Sequence, residues 1–77
     1  AKINAVNVLE IIDPDTANVS IRSFTDDEEG NREAEALMFE CAKENGYIGS
    51  AQNADEFMDD EGDSWSTGTY TVLITHS

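Results

Sequence analysis

Few residues in this chain could carry covalent chemistry. Catalysis by a nucleophile and a base uses a Cys, His or Lys held in a pocket. The sequence has one cysteine, Cys41, and one histidine, His76, next to the last residue. Cys41 falls on the apolar stripe of an expected helix and reads as a core thiol. Carboxylate pairs could support glycoside hydrolysis, but a chain with 17 acids produces such pairs from composition alone. Two acidic segments carry a glycine and can be laid on the calcium-loop template. With Gly62 at the glycine position the first and last ligand positions are Phe57 and Gly68; with Gly30 there they are Thr25 and Ala36. Both lack the closing glutamate. The expectation is no enzyme, no metal and no cofactor.

The remaining chemistry is charge. Between Thr25 and Gly46, Glu29, Glu33, Glu40 and Glu44 fall within one narrow stripe of a helical wheel, beside the apolar stripe. Glu33 to Glu44 spans about 16 Å at 1.5 Å per residue. Asp26-Asp27-Glu28-Glu29 leads into this helix, and Asp59-Asp60-Glu61-Gly62-Asp63 follows it as a second acidic segment. Arg32 and Lys43 are the bases on the helix and are expected to point elsewhere. Phe39 falls on the side of the wheel away from Ala34, Met38 and Cys41, and Trp65 stands near the second acidic segment. Both aromatics are candidate anchors of an interface. The expected partner-binding set is Glu29, Glu33, Glu40, Glu44, Asp59, Asp60 and Asp63, with Phe39 and Trp65.

The elements that must position these residues follow from periodicity. Ile3 to Ile12 is β-branched and free of Gly and Pro, with apolar residues on both faces, and reads as a central strand. Asp13-Pro14-Asp15-Thr16 reads as a turn. Asn18 to Phe24 alternates, with Val19 and Ile21 expected inward and Ser20 and Arg22 outward, completing a hairpin. Thr25 with Glu28 offers a capping box, and Gly30 with Asn31 a later helix start. Ala34, Leu37, Met38 and Cys41 mark the buried stripe, and Asn45-Gly46 stops the helix. Asn53 with Glu56 caps a short helical turn through Phe57 and Met58. Ser64 to Thr75 reads as the last strand, with Tyr70, Val72 and Ile74 on one face and a break signal at Gly68. The expected fold is α+β in one domain, 1–77: a three-stranded antiparallel sheet of order 3-1-2 in a ββαβ chain, with one main helix on one face. The other face must be wet or covered by a second copy.

Composition narrows the function classes. A chain of 77 residues has a thin core, too thin for a deep enzyme pocket. Acids outnumber bases 17 to 4, a formal net charge of −13. That field disfavours direct nucleic-acid binding and anionic membranes and favours a basic partner. A single cysteine allows no intramolecular disulfide and fits a reducing, cytoplasmic compartment. No signal-peptide pattern or long apolar run is present, and Ala1 reads as the residue left after removal of an initiator methionine.

By size, net charge and the acidic stripe with its flanking DDEE and DDEGD segments, the chain resembles the small acidic inhibitors of phages and mobile elements, the anti-restriction and anti-CRISPR proteins and other DNA mimics. No motif carries the resemblance. It implies a non-enzymatic inhibitor, acting in the host cytoplasm, that occupies the groove of a basic nucleic-acid-binding host enzyme or defence complex. Duplex DNA carries about one charge per 1.7 Å of axis, so a protein mimic needs dense carboxylates on a rigid element. Two other readings stand beside it: an interaction module that forms a homodimer through the uncovered sheet face, and a salt-adapted protein whose charge is solvation.

Overall fold

The computed structural model describes residues 4–13, 15 and 18–77. Ile3, Pro14 and Thr16, used above for the first strand and its turn, lie outside them. The chain runs β1 (Ala5–Asp13), β2 (Asn18–Thr25), α1 (Glu28–Glu44), α2 (Ala54–Glu61), β3 (Ser64–Ser66) and β4 (Thr71–His76). The strands form one four-stranded sheet of order β2-β1-β4-β3, antiparallel at each pairing. The expected three-stranded sheet with one main helix is therefore corrected to four strands and two helices.

The fourth strand comes from the stretch read as one. At Thr67-Gly68-Thr69 the chain reverses. Thr67 N donates to the Tyr70 carbonyl at 2.7 Å, and the Thr67 hydroxyl oxygen accepts from Thr69 N at 3.2 Å and Tyr70 N at 3.0 Å. This side-chain turn folds β3 back onto β4, pairing Trp65 with Val72. The second helix comes from Asn53, whose side chain accepts from Glu56 N at 2.9 Å and donates to the Glu56 carboxylate at 3.3 Å. This reciprocal cap starts eight residues of helix rather than one turn. Gly62, at φ 75°, ends it.

α1 is capped by Asp27, not Thr25: the Asp27 carboxylate accepts from Gly30 N at 2.7 Å. Gly30 is buried where the helix start crosses the end of β2, and a Cβ there would collide with the Thr25 carbonyl oxygen. The glycine lets strand and helix meet at a tight corner. At the other end Asn45 and Gly46, at φ 109°, turn the chain so that Tyr47 N donates to the Ala42 carbonyl at 2.9 Å.

Both helices lie on one face of the sheet, where Val6, Val8, Val72 and Ile74 meet Ala34, Met38, Cys41, Ala42 and Phe57. The register sends Val19 and Ile21 to the opposite face, against Ile11 and Leu9. They are 46% and 62% exposed, not inward as the alternation predicted. Phe24, on the other parity of β2, is the residue that faces α1, beside Val6. The molecule is a two-layer slab, 39 × 32 × 15 Å between Cα atoms along its principal axes.

Phe39 is also corrected. It is 6% exposed and part of the core, because α2 packs on the flank of α1 that would otherwise be open. The Phe39 ring lies 5.2 Å from Phe57 and 6.0 Å from Tyr47. Phe39→Ala should therefore cost about 3–5 kcal/mol, comparable with the whole stability of a small domain. Urea unfolding should rank Phe39→Ala with Met38→Ala, and Leu37→Ala, half-buried, below both; a Phe39→Ala cost under about 1 kcal/mol would contradict this packing.

Candidate functional site

The outward side of α1 is built by its caps and its wheel. Asn31 Nδ2 donates to the Asp26 carboxylate at 3.0 Å and the Asp27 carbonyl at 2.8 Å, so the first turn is held by its own acidic lead-in. Glu28 and Glu29 then stand at the positive end of the helix dipole, and Lys43 in the last turn at the negative end. Because α2 covers the Glu35–Phe39 flank, the buried arc of α1 is wider than Ala34, Met38 and Cys41 define, and its centre is shifted. At 100° per residue Glu29 and Glu40 then stand opposite the centre of that buried arc, with Glu33 and Glu44 nearer the rim where helix meets sheet.

Glu29, Glu33, Glu40 and Glu44 are all exposed. Two carboxylates on α1 are paired: Glu28 with Arg32 at 3.3 Å, and Glu40 with Lys43 at 3.1 Å. Lys43 also sits 4.4 Å from the centroid of the Phe39 ring. It does not point away from the stripe; it spans from the aromatic core to Glu40. Among the described residues no base lies within ion-pair distance of Glu29, Glu33 or Glu44. A shallow groove lined by Glu28, Glu29, Arg32, Glu33 and Ala36 opens on this side.

Asp59, Asp60 and Asp63 are exposed on and just after α2. α2 lies on the Phe39 flank of α1, whereas Glu33 and Glu44 lie on the other. The structure thus makes two acidic patches from the expected single set. Trp65 is half-buried, its ring 6.2 Å from both Tyr47 and Tyr70, so it closes the end of an aromatic row rather than standing free beside the acids.

The sequence reading passed over Glu35. It is half-buried between the helices, and its carboxyl is pushed up from the ordinary value of 4.5, first by partial burial and then by Asp55 and Asp63, with Arg32 opposing. Its position four residues before Phe39, on the flank α2 covers, is the signal that could have found it. The polar group nearest the core is different in kind. The Tyr70 hydroxyl donates to Glu10 at 2.6 Å. Cys41, beside both, is raised to about 11 by burial and then by Glu10. A thiol with that pKa is a poor nucleophile at neutral pH. Tyr70 is raised by burial and by the same hydrogen bond.

Among the described residues no three His, Cys, Asp or Glu side chains are placed to hold a metal ion, and no helix is long and apolar enough to cross a membrane. Compared with known proteins, the chain matches no family model, no curated protein and no solved structure. The likeness to acidic phage inhibitors therefore stays one of size and charge.

The like-charged cleft between the helices gives a signed pH effect. An acid whose folded pKa is raised holds its proton more tightly in the folded state, so stability is greatest below the unfolded value and falls as pH rises through the folded one. Glu35→Gln should remove that loss. Its melting temperature should exceed wild type at pH 7 in low salt and match it at pH 4. A variant no more stable than wild type at pH 7 would show that burial and repulsion together put no cost on the Glu35 charge.

Proposed function

We propose that this protein is a non-enzymatic acidic inhibitor that presents nucleic-acid-like charge to the basic groove of a nucleic-acid-binding host enzyme or defence complex. The observation that carries the reading is the placement of Glu29, Glu33, Glu40 and Glu44, all exposed, in one stripe of a 17-residue helix capped at both ends. A duplex holds its charges on a stiff rod, and a capped, packed helix is the stiff element a small domain has. Among the described residues, three of the four carboxylates have no basic neighbour at ion-pair distance, so their field reaches outward over about a Debye length, some 8–10 Å at moderate salt. Asp59, Asp60 and Asp63 supply a second negative patch around the corner. Phe39 has no part in the contact, since its ring is buried. Trp65, half-buried in the aromatic row, offers at most an edge.

The test is displacement of labelled duplex DNA from a panel of restriction enzymes and CRISPR effector complexes. Wild-type protein should compete with DNA on at least one of them, and the competition should weaken steeply as salt rises. Changing Glu33, Glu40 and Glu44 together to Gln keeps side-chain shape and helix propensity. Three exposed ion pairs at about 0.2–1 kcal/mol each make the expected loss of affinity about 3- to 150-fold. The matching control, Asp59, Asp60 and Asp63 to Asn, lies on the opposite flank of α1 and reads the second patch independently. Loss in the control alone moves the working surface to α2. Competition untouched by both variants and by salt contradicts charge mimicry.

A further inference from the structure

The sheet face turned away from the helices is neutral in a molecule that is acidic elsewhere. Pairing places Ala5, Asn7, Leu9 and Ile11 of β1 on it, with Thr25, Ser23, Ile21 and Val19 opposite them on β2. Thr71, Leu73 and Thr75 of β4, with Ser64 and Ser66 of β3, complete the face. None of these residues is charged, although the chain has 17 acids and 4 bases. Leu9, Ile11, Val19, Ile21 and Leu73 form one apolar patch on it. Beside the patch, the Ser23 hydroxyl donates to Asn7 Oδ1 at 2.6 Å and Asn7 Nδ2 donates to the Ser77 hydroxyl at 3.1 Å. The polar groups there are satisfied within the face and ask nothing of a partner.

We infer that this face is covered by a second copy of the chain, packed sheet on sheet. Charge decides the occupant. A basic partner gains nothing from a face without carboxylates and would be drawn to the helices instead. An acidic partner is held off by everything but this face, and the acidic partner always at hand is another copy. Stacked sheets sit about 10 Å apart, and the helix layers lie outside them. The acidic faces of two copies are then about 30 Å apart, three or more Debye lengths at physiological salt. A contact through the helix layer would instead bring the carboxylates of two copies within one Debye length. Size agrees as well: four strands about 4.8 Å apart, rising about 3.3 Å per residue, give a footprint of about 400 Å² per copy. With pleated side chains the two together reach the roughly 1,000 Å² of a specific interface. The inference is independent of the proposed inhibitor role, and the resulting dimer would carry one acidic surface on each outer side.

Sedimentation of the full chain across concentration and salt tests this directly. The dimer should strengthen as salt rises, because apolar burial is kept while residual repulsion is screened. That is the opposite sign from the DNA competition, so failure of one claim is distinguishable from failure of the other. Ile21→Lys and Ser66→Lys place a charge on the neutral face from opposite sheet edges, at exposed positions where folding, read by circular dichroism, is kept. Both should be monomeric at concentrations where wild type is a dimer. A wild type that stays monomeric at high protein and high salt overturns the inference. So does a dimer lost with Ile21→Lys alone, which would mean edge pairing through β2, and so does a dimer insensitive to both.

Discussion

Like-charge repulsion is the constraint on which this architecture turns. A net charge of −13 on 77 residues opposes any compact state, and the fold answers by sorting. Most acidic residues stand on or beside the helices, and most of them are exposed. The sheet's core side is apolar at its centre, with Glu10 and Arg22 beside Val8, and its far side carries no charge among the described residues. Stability has to come from a thin seam, so single residues matter more than usual: Gly30 for the corner between β2 and α1, Met38 and Phe57 for the seam itself, and the aromatic row from Phe39 through Tyr47 to Trp65 for the attachment of α2.

The same sorting explains which groups are reactive. The cysteine, which elsewhere would invite a nucleophilic role, lies on the buried face of α1 beside Glu10 and Tyr70, and burial first, then Glu10, raise its pKa to about 11. Glu35 is the place where sorting is incomplete, since packing α2 against α1 draws it toward Asp55 and Asp63. The attachment of α2 is therefore a compromise between aromatic burial and the cost of a partly buried carboxylate with acidic neighbours, and pH acts at that joint.

Much of this was legible in the sequence, and the larger misses depend on residues far along the chain. Several local signals held, although Asp27 and not Thr25 caps α1. Asn53 with Glu56, Asn45-Gly46, the Asp13 side chain accepting from Asp15 N at 3.0 Å and the Tyr70–Val72–Ile74 alternation each depend on a few neighbouring residues. Phe39 was misplaced because its burial depends on Phe57, eighteen positions on, and a wheel drawn for α1 alone has no knowledge of α2. Val19 and Ile21 were turned the wrong way because alternation fixes which residues share a face, not which face meets the helix; the Phe24–Val6 pairing decides that. A three-residue strand such as β3 is too short to show a period. The acidic candidates are exposed, but their division into two patches again needed the position of α2.

Repulsion localised on the helix side is what this fold has to withstand, and urea unfolding at neutral pH across sodium chloride concentration measures it most directly. Urea carries no charge, so salt can be varied alone. Between about 0.1 and 1 M salt the Debye length shrinks from about 10 Å to about 3 Å, and the urea midpoint should rise over that range and then level off. A midpoint that stays flat or falls as salt is added would contradict the claim that charge is the force this fold is arranged around.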